Sequence, residues 1–317
     1  MTPAPIAAAL LFAVPLLGAC VHSAAYVERI EAAHPASGQI VEVAGHKVHV
    51  LTSGETGPPV LAIHGASANA REFAWSLAPR LAGGHRVLMP DRPGHGHSAR
   101  PDDAASLGIQ ARQMAGALER LAPDEPALVV GHSYGGAVAL RVALDYPEQV
   151  RGVVLLAPVT HDWGGGGEAW YNTVAGLPYV GPMFSQVAPL AGPAAVNGGV
   201  DSVFAPDAVP EGYVEKSAIK LLFRPGAFRA NARDMNRLRE ELTAQQARYG
   251  EIEVPVVIFS GARDRIIDPS LHARRLKDAG PNFRLVKLSD QGHMPHHGEG
   301  EAVANTIRDL ARLRNAS

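Results

Sequence analysis

Short apolar runs alternate along this chain with segments of helical periodicity, and this alternation restricts the folds that the chain can adopt. A β-hairpin pattern at residues 38–54 comes first, and six strand-like runs follow it. The run at 58–65 is continuously apolar, which suits a strand buried on both faces of a sheet. The sequence therefore predicts an α/β fold with a mostly parallel, doubly wound sheet of about eight strands. The helical patterns between the runs lie at 70–82, 106–121, 135–146, 270–279 and 300–314.

One segment, residues 161–232, breaks this alternation between the fourth and fifth parallel strands. It is rich in glycine, proline and aromatic residues and contains no apolar run of strand length. We predict a mainly helical cap inserted into a core formed by 38–160 and 233–317, because a solvated loop has little reason to hold large rings. The alternatives are an exposed excursion of the chain and, for the rings, a core internal to the cap. The apolar residues expected to face the substrate are Trp163, Trp170, Tyr171, Val174, Leu177, Tyr179, Met183 and Phe184, with Gly164–Gly167 as a flexible joint.

The composition excludes several classes of partner and site. Apolar residues make up 46% of the chain and charged residues 19%, which is typical of a globular protein. The formal net charge is −2 and no run of lysine and arginine occurs, so nucleic acid is not expected as a partner. Because Cys20 is the single cysteine, an intrachain disulfide and a cysteine-based zinc cluster are impossible.

The N-terminal segment indicates export from the cytoplasm. An uncharged apolar run at residues 6–19 directly precedes Cys20 and has the length of a signal-peptide core. Its end, "LLGAC", resembles a bacterial lipoprotein signal, in which the cysteine receives lipid and becomes the mature N-terminus. We therefore predict a signal peptide at 1–20, a tether at 21–37, and a lipid anchor to a membrane of the bacterial cell envelope, facing the periplasm or the exterior. No lysine or arginine precedes the run, which leaves an ordinary cleaved signal or an uncleaved anchor as alternatives.

A lone serine stands at the predicted junction between the third parallel strand and a helix. Ser133 lies in the sequence Gly-His-Ser-Tyr-Gly, after the apolar run 127–130 and before a helical run. This strand, turn and helix context is that of a nucleophile elbow, where glycines allow a tight turn and the serine oxygen projects above the sheet. The adjacent helix N-terminus favours developing negative charge. Ser133 is therefore the predicted nucleophile.

A serine hydroxyl needs a base to take its proton and a carboxylate to orient that base. His293 follows the last predicted strand at the same sheet edge as Ser133, whereas His296 and His297 are rivals close to it in sequence. Asp264 stands at the exit of the strand before, and we predict it as the acid. Asp268 precedes Pro269 and has the pattern of a turn or cap residue. His132, beside the serine, is expected to have a structural role.

Five motifs between about residue 39 and the C-terminus resemble those of the α/β-hydrolase fold family. The chain order Ser133, Asp264, His293 is also the order found in that family. The resemblance implies that the backbone amides of Ala66 and Tyr134 form an oxyanion hole, and that neither a cofactor nor a metal ion takes part. The motifs are "IHGASAN" at 63–69, "DRPGHGHS" at 91–98, "GHSYGG" at 131–136, "SGARDRIIDP" at 260–269 and "QGHMPHH" at 291–297.

The reaction class follows from the nucleophile. Dehalogenases and epoxide hydrolases of this fold carry aspartate at the elbow, so a serine implies acyl transfer to water. We expect a hydrolase of small to medium hydrophobic carboxylic esters. The alternatives are a serine peptidase of the proline-iminopeptidase type, a hydrolase of carbon–carbon bonds, and a binding module without catalysis on the same scaffold. A peptidase of this type usually binds a free amine through acidic residues of the cap, for which Glu168, Asp201, Asp207, Glu211 and Glu215 are available.

Overall fold

The computed structural model describes the backbone of residues 3–166 and 169–312, and the side chains from residue 17 onward within those ranges. An eight-stranded sheet forms its centre, with the strand order β1-β2-β4-β3-β5-β6-β7-β8. Strand β2 pairs antiparallel with both β1 and β4, and the other five pairs are parallel. The predicted α/β fold with its mostly parallel sheet is confirmed. The strands are β1 (Gln39–Val43), β2 (His46–Ser53), β3 (Pro59–Ile63), β4 (Arg86–Pro90), β5 (Ala127–His132), β6 (Val150–Leu156), β7 (Val256–Gly261) and β8 (Phe283–Leu288).

Helices cover both faces of the sheet. Alternate residues of β5 join different apolar clusters, because successive side chains of a strand point to opposite faces. Val129 packs in the cluster of α4 and α5, whereas Leu128 and Val130 pack with α2, α3 and α13. In chain order the helices are α1 (Pro3–Ala33), α2 (Arg71–Ser76), α3 (Ala78–Leu81), α4 (Leu107–Leu121), α5 (Tyr134–Asp145), α6 (Trp170–Gly176), α7 (Val180–Phe184), α8 (Ala188–Phe204), α9 (Tyr213–Lys216), α10 (Pro225–Gln245), α11 (Arg275–Lys277), α12 (Pro295–Gly298) and α13 (Gly300–Arg312).

The segment between β6 and β7 contains α6 to α10 and has an apolar cluster of its own. Val200, Phe204 and Phe223 are members of that cluster. The boundary predicted at residue 232 lies inside α10, because this helix continues from the cap onto the core. Its last turns bury Leu242 in the main core, and Gln245 Nε2 donates to the carbonyl of Ala137 at 3.0 Å.

The segment predicted as a tether is largely helical and packs against the cap. Residues 21–33 belong to α1, and Tyr26 and Ile30, one helical turn apart, are buried in the cap cluster. Tyr26 Oη donates to the carbonyl of Lys220 at 2.8 Å. Among helices whose side chains are described, none is long and apolar enough to cross a membrane. The side chains of the predicted signal peptide up to residue 16 lie outside the described residues.

Candidate functional site

Ser133 occupies the turn between β5 and α5 in a strained backbone conformation. Its φ is 52° and its ψ is −117°, a combination that a non-glycine residue rarely adopts. A Cβ on Gly131 would lie 2.4 Å from the carbonyl oxygen of Gly135, and one on Gly135 would lie 2.1 Å from that of Ile63. Glycine is therefore required on both sides of the serine by close backbone contact.

Asp264 and His293 form a buried pair at the same edge of the sheet. Asp264 lies just after β7, and its Oδ2 accepts a hydrogen bond from His293 Nδ1 at 2.8 Å. The two side chains are 2% and 4% exposed. The other oxygen, Oδ1, accepts the backbone N–H groups of Ile266 and Ile267 at 2.8 and 3.0 Å. Asp268 instead accepts from the backbone N–H of Ser270 at 2.8 Å, as a turn residue does.

The neighbouring His132 links the Ser133 turn to His293. Its Nε2 donates to the backbone carbonyl of His293 at 2.9 Å, and the two rings lie 4.9 Å apart. Burial lowers the pKa of His132 well below its usual value, so this ring stays neutral. Within the described part of the chain, Ser133 Oγ makes no hydrogen bond to His293. Catalytic hydrogen bonds of this kind often shorten only when substrate is bound.

Ala66 and Tyr134, whose amides are the predicted oxyanion donors, belong to the two segments beside Ser133. Tyr134 is the first residue of α5, and Ala66 lies in the loop that follows β3. This loop passes close to the serine, because a Cβ on Gly65 would lie 3.3 Å from the Ser133 Cβ. The next amide in the loop, that of Ser67, already donates to Asn231 Oδ1 of α10 at 2.7 Å. Ala66 therefore lies between a glycine that approaches Ser133 and an amide that is already bonded to the cap helix.

The buried side chain of Arg92 forms hydrogen bonds to the backbone of this loop. Its Nε donates to the carbonyl of His64 and its Nη2 to that of Gly65, both at 3.1 Å. Its guanidinium carbon lies 4.3 Å from the centre of the Tyr134 ring. Nη1 donates to Asp234 Oδ2 at 2.9 Å, and both side chains are fully buried. Arg92 therefore braces the segments that carry both predicted oxyanion amides.

Sequence reasoning did not identify Arg92, because the letters of "DRPGHGHS" do not reveal which side chains turn inward. The same loop contains Asp91, whose two oxygens accept from His49 Nδ1 and the Ala70 amide, each at 2.7 Å. Burial, together with the Arg92 charge, lowers the pKa of His64 to about 3. A neutral His64 accepts the Arg92 amide at 2.9 Å and so serves as a brace.

The rival histidines belong to a separate buried cluster. His296 and His297 donate through Nε2 to Glu72 Oε1 at 2.9 and 2.6 Å, and Tyr213 donates to Glu72 Oε2 at 2.6 Å. Burial lowers the pKa of His296 to about 4. Within the described ranges, Glu72, His296 and His297 are the one set of ligand atoms close enough to hold a metal ion. The separations between Glu72 and the two imidazoles are those of ordinary hydrogen bonds.

The cap touches the histidine loop directly. Asp207 Oδ2 accepts the backbone N–H of Gly292 at 2.8 Å, and a Cβ on Gly292 would lie 2.4 Å from the carbonyl oxygen of Ala205. Most apolar residues expected to face the substrate are instead exposed, because they lie on the outward sides of α6 and α7 and in the turn between these helices. These exposed residues are Trp170, Tyr171, Leu177, Tyr179 and Met183.

The other three residues expected to face the substrate are less exposed, and the predicted glycine joint has an unusual backbone conformation. Trp163 is half-buried against the main core, and Val174 and Phe184 are half-buried as well. Gly164, Gly165 and Gly166 all have positive φ, as a glycine joint allows. Gly167 and Glu168 lie outside the described residues.

Known proteins resemble this chain in sequence and in fold. Residues 60–306 match the model of the Alpha/beta hydrolase family. The chain is 28% identical over 295 residues to polyketide synthase ThaQ of Burkholderia thailandensis, covering 89% of this chain but only 13% of that protein. It is 38% identical over 125 residues to 2-hydroxymuconate semialdehyde hydrolase of a Pseudomonas strain, which is 38% of this chain and 44% of that enzyme. The crystal structure of a bacterial membrane phospholipase A has a similar fold, with a TM-score of 0.70, 23% identity, and coverage of 98% of this chain and 96% of that one.

Proposed function

This chain belongs to the alpha/beta hydrolase family, and from that premise we propose that it is a serine hydrolase of small to medium hydrophobic carboxylic esters. The observation that supports the proposal best is the 2.8 Å hydrogen bond from His293 to Asp264. It lies at the sheet edge where Ser133 adopts its strained turn. A buried imidazole oriented by a carboxylate is the arrangement that activates a serine hydroxyl.

The proposed reaction proceeds through an acyl-enzyme. With Nδ1–H donating to Asp264, His293 presents Nε2 as the acceptor for the Ser133 proton. The serine oxygen attacks the ester carbonyl, and the amides of Ala66 and Tyr134 stabilise the negative charge that develops on the carbonyl oxygen. His293 then protonates the leaving alcohol. A water molecule, deprotonated by the same imidazole, hydrolyses the acyl-enzyme and releases the acid.

The cap favours neutral substrates over those with a free amine. Asp207, one of the acidic residues that could bind an ammonium group, is occupied by the Gly292 amide. Glu215 Oε1 lies 3.5 Å from Lys220 Nζ and is paired with it. These contacts support the ester hydrolase over the peptidase.

Hydrolysis of carbon–carbon bonds is a second candidate. It is favoured by the 38% identity to 2-hydroxymuconate semialdehyde hydrolase, which is confined to 125 residues. The same serine, histidine and oxyanion amides would serve that reaction, so only the substrate distinguishes the two.

A substrate panel separates these activities. We expect kcat/KM for neutral p-nitrophenyl esters of four to eight carbons to exceed that for cationic esters and aminoacyl anilides by about tenfold or more. The physical reason is that burying apolar surface is favourable, whereas a charge would be desolvated without a partner. A vinylogous 1,5-diketone should be included, and the Ser133→Ala variant serves as the control. Faster turnover of the anilides or of the diketone would contradict the ester hydrolase.

We also propose that the N-terminus anchors the protein to a membrane of the bacterial cell envelope. Support comes from the uncharged run before Cys20 and from the exposure of that cysteine. If Cys20 carries lipid, Cys20→Ser should move the protein from the membrane fraction to the soluble fraction with activity per molecule unchanged. Cys20→Ser protein that stays in the membrane fraction, with Met1 intact by mass spectrometry, would contradict lipidation and support an uncleaved anchor.

A further inference from the structure

One surface of the cap is apolar, exposed and uncharged. Residues 169–200 contain no Asp, Glu, Lys or Arg, although charged residues make up 19% of the chain. Large apolar side chains of this stretch point to solvent, and Tyr179 is 90% exposed. We call this surface the cap face. Its residues are Trp170, Tyr171, Leu177, Tyr179, Val180, Met183, Val187 and Leu190.

The elements of the cap face form one connected surface. Helix α6 contacts α7, α7 contacts the short turn Ser185–Val187, and this turn contacts α8. The Trp170 ring lies 6.1 Å from the Tyr171 ring and 5.8 Å from that of Phe184. Isolated exposed apolar residues need no explanation, but a connected group of them marks an interaction surface.

The N-terminal helix reaches this same region. Helix α1 contacts the turn Ser185–Val187 and α8. On α1, Cys20, the predicted site of lipid attachment, is exposed, and Val21 beside it is 63% exposed. The uncharged apolar run 6–19, which is part of the predicted signal peptide, ends directly before Cys20. The chain that leads to the proposed anchor therefore leaves the domain beside the cap face.

We propose that the cap face docks on the surface of a lipid bilayer. Tryptophan and tyrosine rings are favoured at the level of the lipid headgroups, where an apolar body and a polar tip are both accommodated. Because the stretch lacks charged residues, no charge has to be desolvated when Trp170 and Tyr179 enter that region. An anchor on α1 would hold the cap face at the membrane, and this would not require a second copy of the chain. The inference rests on the membrane location proposed above and not on the ester chemistry.

Fluorescence quenching by labelled lipid tests the docking directly. The full-length protein is reconstituted into phosphatidylcholine and phosphatidylglycerol vesicles that contain a lipid with a doxyl group near the headgroup. We expect strong quenching of tryptophan emission in the wild-type protein and in Trp163→Phe. In Trp170→Phe the quenched fraction should fall at least threefold, because the two other tryptophans, Trp75 and Trp163, are half-buried. Co-sedimentation with the vesicles is measured in parallel to report on the anchor.

A charge placed on the cap face provides the second test. Tyr179→Lys and Met183→Lys should reduce quenching of Trp170 at least twofold without changing the thermal melting curve, because both side chains are exposed. The matched control is Ile40→Lys, which replaces an exposed apolar residue of β1 outside the cap and should leave the quenching unchanged. Protein that sediments with vesicles but shows no quenching of Trp170 would overturn the docking while sparing the anchor. Quenching lost together with sedimentation would overturn both, and a cap face covered by a second copy would show a blue-shifted but unquenched Trp170.

Discussion

Ser133→Ala is expected to lower kcat for ester hydrolysis by at least about three orders of magnitude while leaving the fold intact. His293→Ala should have an effect of the same size, because nucleophile and base act as a unit and their losses do not add. Ser133 lies in a turn whose contacts are made by the backbone and by the flanking glycines, so removing one oxygen leaves them in place. A fluorophosphonate probe should label the wild-type protein and not Ser133→Ala. Wild-type protein that resists the probe would support a binding module without catalysis.

Asp264→Asn is expected to cost less than the loss of either partner. The amide would disturb the orientation and tautomer of His293 but leave nucleophile and base present, so kcat should fall by less than it does in Ser133→Ala or His293→Ala. His296→Ala and His297→Ala are the matched controls, because both rings donate to Glu72 and not to Asp264. If either control lowers kcat as far as His293→Ala does, with an unchanged melting temperature, the assignment of the base is wrong.

Asp234→Asn is expected to give the largest loss of stability. The carboxylate is fully buried and pairs with Arg92 at 2.9 Å and with Arg100 at 2.8 Å. Neutralising it leaves the guanidinium of Arg92 buried without its counter-charge, which typically costs about 3–5 kcal/mol in the free energy of unfolding. Chemical denaturation should show a lower midpoint with an unchanged slope.

The matched control for this prediction is an exposed ion pair. Glu301→Gln removes a carboxylate that is 63% exposed and contacts Arg308 at 2.9 Å, and it should change the free energy of unfolding by less than about 1 kcal/mol. Asp234→Asn should also lower kcat more than it raises KM, because Arg92 braces the loop that carries Ala66. Equal stability losses in the two variants would contradict the importance assigned to the buried pair.

The core of the fold could be predicted because its signals are local. Each strand is a short apolar run, and the elbow around Ser133 needs glycines within two residues of the serine. The location of Ser133, Asp264 and His293 at one edge of the sheet could be predicted because each residue follows a parallel strand. Asp264 and Asp268 could be separated in the same way, since one stands at a strand exit and the other precedes a proline.

Long-range pairings could not be predicted. Arg92 and Asp234 are 142 residues apart. Arginine and aspartate are rarely buried unless they are paired, and the sequence does not show which residues pair. The direction of the cap rings was also beyond the sequence, because short helices rich in glycine and proline carry no clear amphipathic period. The stretch after Cys20 is predicted as a tether because it is polar, although residues 21–33 belong to α1. Only the spacing of Tyr26 and Ile30 hinted at a helix with one buried face.

The docked α1 changes how far the catalytic domain can reach from a membrane. A flexible chain of the length predicted for the tether would have a root-mean-square end-to-end distance of roughly 20–25 Å, and the domain could move over that distance. Instead, α1 is fastened to the cap through Tyr26 and Lys220, and the segment after it to the core through the carbonyl of His34, which accepts His97 Nε2 at 2.9 Å. An anchor at the N-terminus, as proposed above, would therefore restrict rotation of the domain and select one orientation. Such an enzyme would sample substrates dissolved in or leaving the lipid layer far more often than solutes in the surrounding water.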